Sequence, residues 1–158
     1  MKKLLLAAIA LLPLTLPAQA QFGVKLGLLT CTIAGGSGFI VGSSKDMACT
    51  FYPAFANLPQ ESYSGRINKY GIDVGATSGA VLQWYVMAPS QEVLAPHILA
   101  GSYFGASAEA TVAVGLGANV LVGGGPQSIA LQPLSVQAQT GINMALAIGA
   151  LQLVSAGQ

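Results

Sequence analysis

The sequence predicts a mainly β, antiparallel domain, folded as a curled sheet, a sandwich or a small barrel, behind an export signal. Three observations lead there. Apolar and polar residues alternate with period two in almost every segment of the mature chain, the mark of strands with two distinct faces. Glycine, proline and Ser/Asn/Asp clusters punctuate those segments as turns. No period of about 20–50 residues repeats, which removes solenoids and propellers. Strand-length statistics put about seven to nine strands in such a domain.

The N-terminus comes first. Lys2 and Lys3 precede an apolar stretch, Leu4 to Leu12, that is too short for a bilayer anchor of ~20 residues. Pro13, Pro17 and the small-x-small "AQA" at 18–20 follow. Residues 1–20 therefore read as a secretory signal peptide cut after Ala20, leaving 21–158 as one β-rich domain in the periplasm.

The strands then follow in order. "VKLGLLTCTI" (24–33) opens the domain, closed by "GGSG" at 35–38 and a short "FIVG". "SSKD" at 43–46 reads as a turn before "MACTFYP", and 53–60, bracketed by prolines, as a loop. A β region runs from Ser62 to Val74, and "AVLQWYVMA" (80–88) places Leu82, Trp84 and Val86 on one face with Gln83 on the other. Residues 89–97 form a second proline-containing loop, and strand-like sequence resumes at Ile98.

"GASAEATVAVGLGANVLVGGG" (105–125) is one bent strand or a tight hairpin, because a straight strand of that length would overrun a small domain. In "SIALQPLSVQAQ" the apolar phase slips by one at Pro133, as a bulge or a bend at an edge requires. Large and small residues alternate in "GINMALAIGA". Segment 141–153 reads as a strand, with a short helix as its alternative.

Charge is scarce. Of six Lys and Arg and five Asp and Glu, Lys2 and Lys3 leave with the signal, so the mature chain holds four basic and five acidic residues. Nothing forms a basic stripe, so a nucleic-acid partner is excluded. A surface this poor in charge is wetted by uncharged polar groups or covered by lipid or another protein. Cys31 and Cys49 form an isolated pair in an exported chain, which favours a disulfide worth about 3 kcal/mol. A metal site or a thiol nucleophile would have to draw on His97, the only imidazole.

Chemical motifs are missing. Gly115 and Gly117 begin a G-x-G-x-x-G that fails at Val120, and no lysine completes a phosphate loop. No Ser-elbow, zinc-protease or calcium-loop pattern occurs. His97 sits beside Pro96 with no partner assignable from sequence. No cofactor, metal or catalytic residue is therefore expected. Glu109, on the small-residue face with Ser107 and Thr111, is a candidate ligand-binding carboxylate, weighed against an ordinary surface acid; Asp73 shares that ambiguity. Asn119 and Trp84 complete the candidate ligand-binding set. The aromatics Phe51, Tyr52, Trp84, Tyr85, Tyr103 and Phe104 come in adjacent pairs, which on a sheet put one ring inside and one outside.

Three stretches, "VKLGLLTCTIAGGSGFIVGSSKDMACTF", "GASAEATVAVGLGANVLVGG" and "SIALQPLSVQAQTGIN", resemble domain-of-unknown-function family 992, small exported proteins of Gram-negative bacteria. The resemblance covers nearly the whole mature chain. It implies export and the cysteine pair, and it brings no activity, ligand or site residue. The function expected is a non-enzymatic periplasmic or cell-envelope protein that binds lipid or another apolar ligand. The alternatives are an envelope module that self-associates or binds a protein partner, and a small outer-membrane barrel. Against the barrel stand the absent aromatic girdles and the ending "LVSAGQ".

Overall fold

The computed structural model describes residues 23–33, 44–69, 80–105, 120–124, 129–134 and 148–157. Residues 1–20, "GGSG", "FIVG", Asp73, Glu109, Asn119 and residues 141–147 lie outside the described residues. Among the described residues there are eight strands: β1 (Val24–Ile33), β2 (Ser44–Pro53), β3 (Glu61–Lys69), β4 (Ala80–Ala88), β5 (Gly101–Gly105), β6 (Leu121–Gly123), β7 (Ile129–Pro133) and β8 (Ile148–Ser155). They close into a barrel in the order β1-β2-β3-β8-β5-β6-β7-β4, every pairing antiparallel. The mainly β, antiparallel expectation holds, and of the three architectures it is the small barrel. Closure gives each of the described strands a partner on both sides.

Read from β4, the ring divides into two like halves, β4-β1-β2-β3 and β8-β5-β6-β7. In each, three hairpin-linked strands are followed by a fourth that returns beside the first, which is a Greek key. The halves join twice, through β3 with β8 and through β7 with β4.

Alternation explains the interior. Leu29, Cys31 and Ile33 of β1, Met47, Cys49 and Phe51 of β2, and Tyr63 and Ile67 of β3 all point inward and are buried. Leu82, Trp84 and Val86 of β4 do the same, followed by Tyr103, Leu121, Ile129, Leu131, Ile148, Leu151 and Leu153. Each adjacent aromatic pair divides as expected: Phe51 is buried beside exposed Tyr52, Trp84 beside half-buried Tyr85, and Tyr103 beside exposed Phe104. Outward positions carry Thr30, Thr32, Asp46, Ser62, Ser64, Arg66, Gln83, Ser102 and Gln152. Cys31 and Cys49 face one another in register on β1 and β2 and form the expected disulfide.

One irregularity tunes the alternation. The β1–β4 register shifts between Lys25 and Gly27, a bulge that turns the inward phase from Val24 and Leu26 to Leu29 and onward. Gly27 fits there because a Cβ would run into the Tyr52 carbonyl and the Phe51 ring.

Three sequence expectations change. Ser44–Asp46, expected as part of a turn, belongs to β2 and pairs with Ile67, Asn68 and Arg66 on β3. A cross-strand ion pair, Arg66 Nε to Asp46 Oδ1 at 2.8 Å, joins this end of the hairpin, and tertiary pairing overrides the turn preference of Ser and Asp. Strand β5 begins at Gly101 rather than Ile98. Residues 96–99 form a turn closed by Ile98 N–H to Ala95 O (3.2 Å) and Ala100 N–H to His97 O (3.1 Å). The slip at Pro133 marks the end of β7, a strand paired on both sides, and no edge is involved.

One alternative lies mostly outside the described residues, and one resolves in part. Strands β5 and β6 are antiparallel neighbours with Tyr103 opposite Gly123; residues 106–119 between them lie outside the described residues, and with them the choice between a bent strand and a tight hairpin for 105–125. Within 141–153, residues 148–153 are strand, the first six of β8.

Candidate functional site

In an antiparallel barrel, connections that follow even-numbered strands share one end. The β2–β3 loop (54–60), the β4–β5 crossover (89–100) and the chain leaving β8 therefore meet at the same mouth. The crossover bears a 3-10 turn, Gln91–Val93, and then drops Ile98 and Leu99 into the barrel, where both join the core. Tyr103 locks this plug from below: its hydroxyl donates to Leu99 O at 2.8 Å.

Above the plug lies a cavity of about 540 Å³. Its apolar walls come from Phe51 and Pro53 at the end of β2, Leu58 and Pro59 of the first loop, and Leu94 and Pro96 of the crossover. Gln60, Glu61, Ser62 and His97 supply polar groups on its lining. Both proline-bracketed loops thus become walls, their backbones stiffened by residues with fixed φ.

Glu61, half-buried at the start of β3, organises the polar side. Its Oε1 accepts the His97 backbone N–H at 3.0 Å, and its Oε2 accepts the Tyr63 hydroxyl. His97 is held a second time, through a 2.9 Å hydrogen bond between its Nδ1 and Ser155 Oγ on β8. Its backbone stands at φ 60°, and no other non-glycine residue among those described has a positive φ. A left-handed backbone of this kind persists where surrounding contacts over-determine it, and such residues gather at ligand sites. Here the anchors come from β3 and β8, the strands paired at one of the two seams between the halves of the barrel.

Burial first, and the bond to Glu61 second, push the Tyr63 hydroxyl far above the ordinary tyrosine range. Burial alone does the same to Tyr103. Both phenols are therefore neutral donors under any physiological condition, so Tyr63 fixes the Glu61 carboxylate without competing for its charge.

The arrangement has defined chemical reach. Ser155 and His97 are paired, but Glu61 bonds the His97 backbone, so these contacts do not make a Ser–His–acid relay. Among the described residues no three His, Cys, Asp or Glu side chains gather as a metal site requires. What the geometry provides is an apolar recess with an oriented acceptor on its wall.

Trp84 is fully buried in the barrel interior and is not among the residues lining this cavity; its Nε1 has no hydrogen-bond partner among the described residues. Glu109 and Asn119 fall outside the described residues, and Cys31–Cys49 is a disulfide of the barrel wall. Glu61, Tyr63 and Ser155 escaped the sequence reading, and His97 lacked a partner there because Glu61 and Ser155 lie 36 and 58 residues away.

No curated protein and no solved structure matches this chain. A family model does: "Protein of unknown function (DUF992)" matches residues 10–154, nearly the full length. The closed two-Greek-key barrel described above is therefore the structure of a member, and the chain belongs to the DUF992 family.

Proposed function

We propose that this chain is a non-enzymatic periplasmic protein that binds a small apolar or amphipathic molecule at the mouth of its barrel. The observation that carries the reading is the cavity itself. A volume of about 540 Å³ with apolar walls and a few convergent polar groups is the usual form of a small-molecule site, for which ~300–1,000 Å³ is typical.

The barrel wall supports an aqueous setting. Its interior is filled by apolar side chains, unlike the polar lumen of a barrel that spans a bilayer, and its outer face carries Thr, Ser, Gln and charged residues alongside exposed Val81, Phe104 and Val154. The export reading rests on the signal-like residues 1–20, and the Cys31–Cys49 bond is compatible with an oxidising compartment. The non-enzymatic reading rests on the missing contact between Glu61 and the His97 imidazole.

Protein purified from the periplasm after expression with its own leader provides the test. Native mass spectrometry reads co-purifying small molecules, and the neutral fluorescent probe N-phenyl-1-naphthylamine reads binding directly. Saturable probe binding is expected, weakened about tenfold, roughly the value of one lost buried apolar contact, by Leu94→Asp in the cavity wall. Val81→Asp on the exposed outer wall should leave it unchanged. Absence of both probe binding and a co-purifying molecule would defeat the proposal.

A further inference from the structure

We infer that the ligand of the mouth cavity is an apolar molecule with a cationic, ammonium-type head, which pairs with Glu61. This rests on the cavity being a ligand site, as proposed above, and specifies what the site selects.

Charge complementarity carries the argument. Among the described residues lining the cavity Glu61 is the single carboxylate, and neither lysine nor arginine is present. Neither Lys25, whose Nζ lies 3.7 Å from the centroid of the Tyr85 ring, nor Arg66, paired with Asp46 toward the other end of the β2–β3 hairpin, is on the lining. A ligand bearing a carboxylate head would bring a second negative charge to Glu61 with no guanidinium or ammonium to receive it. A ligand with an ammonium head meets the opposite situation.

The carboxylate is also prepared for this role. A carboxylate offers about four lone-pair positions. The Tyr63 hydroxyl and the His97 N–H take one on each oxygen and so fix the plane of the group, leaving acceptor capacity on both. Half-burial beside the apolar walls strengthens a charge-assisted N⁺–H···O⁻ bond relative to the same bond in open water. Phe51, buried and lining the same cavity, adds an aromatic surface of the kind that attracts ammonium groups. Leu58, Pro59, Leu94 and Pro96 accommodate the apolar body. His97, the other ionisable residue on the lining, has its backbone N–H committed to Glu61 and one ring nitrogen to Ser155.

The test is a matched series of ten-carbon ligands measured by calorimetry on the mature protein: decylammonium, decanol and decanoate. Decylammonium should bind about tenfold more tightly than decanol, the worth of one charge-assisted hydrogen bond, with decanoate weakest. Glu61→Gln should bring decylammonium to within about threefold of decanol, the remainder attributable to ordinary hydrogen bonding. The series on the unmodified protein is decisive even if the variant fails to fold.

Decanoate binding as tightly as decylammonium overturns the inference, as does a folded Glu61→Gln protein that keeps the original ranking. If N-phenyl-1-naphthylamine binds while none of the three ligands does, the head-group assignment falls and the cavity reading stands. If the probe also fails, both fall together.

Discussion

The two Greek keys share a topology and differ in how they are built. The described strands of the first, β1–β4, run nine or ten residues each and are cross-linked by Cys31–Cys49. The described strands of the second, β5–β8, are five, three, five and eight residues long, and its paired registers include Gly101, Gly105 and Gly123. The first half supplies the interior rings of Phe51, Tyr63 and Trp84, and the second supplies Tyr103. The disulfide-clamped half can serve as scaffold, and the other half can close the barrel on it. The candidate site lies where they meet, with Glu61 on β3, Ser155 on β8 and His97 on the crossover between the halves.

That contrast can be broken most directly in the core. Leu29 and Leu131, one from each half, are both fully buried. If the barrel is one cooperative unit, Leu29→Ala and Leu131→Ala should each cost about 2–5 kcal/mol, the usual range for a deleted buried leucine. Urea denaturation followed by circular dichroism should show a single transition for both. A cost under about 1 kcal/mol for Leu131→Ala alone, well below that range, would mean that the second half is draped over the first.

The disulfide comes next. Its removal in the Cys31→Ala/Cys49→Ala double variant should cost about 3 kcal/mol, as expected for the short loop it closes. The loss should appear as a lower urea midpoint, still in one transition. A separate early transition after reduction would divide the halves and sharpen the contrast between them.

Alkaline pH examines one tyrosine in each half. Tyr63 and Tyr103 both have folded pKa values raised above the ordinary 10.0, Tyr63 by burial and then the Glu61 bond, Tyr103 by burial. A raised folded value means that the folded state holds its proton more tightly than the unfolded chain. The corresponding stability is complete below the ordinary tyrosine pKa and is lost as the pH climbs above it. Thermal midpoints should therefore fall from about pH 10 upward. Tyr63→Phe, which removes one of the two groups, should make that fall shallower.

The smallest effect belongs to the exposed pair on the first half. Arg66 holds the Asp46 carboxyl below its usual range through a hydrogen bond and its charge. The sign is the opposite of the tyrosines: any contribution exists above the ordinary carboxyl range and fades as pH falls. Both side chains are largely in water, so screening leaves little. Asp46→Asn should leave the urea midpoint unchanged within measurement error.

Local pattern made much of the barrel legible. Alternation marked β1 and β4 to the residue, because an interior lined by side chains imposes period two, interrupted in β1 at the bulge between Lys25 and Gly27. The aromatic pairs divided inside and outside for the same reason. At Ser44–Asp46 the expectation failed: turn-favouring residues are drawn into a strand by pairing with β3, a contact made across the hairpin. The site was hidden by distance along the chain. Glu61, His97 and Ser155 occupy a strand start, a crossover and a strand end. Their meeting follows from β8 inserting between β3 and β5, an ordering that period-two patterns do not encode.

The central claim is that the mouth cavity between the two proline-bracketed loops is where this protein binds. Amide chemical-shift mapping of the isotopically labelled mature protein, titrated with N-phenyl-1-naphthylamine, addresses it most directly. The account predicts saturable shifts concentrated at residues 54–62, 94–98 and 156–157. Shifts concentrated instead on the outer wall around Phe104 and Val154, or none that saturate, would contradict it.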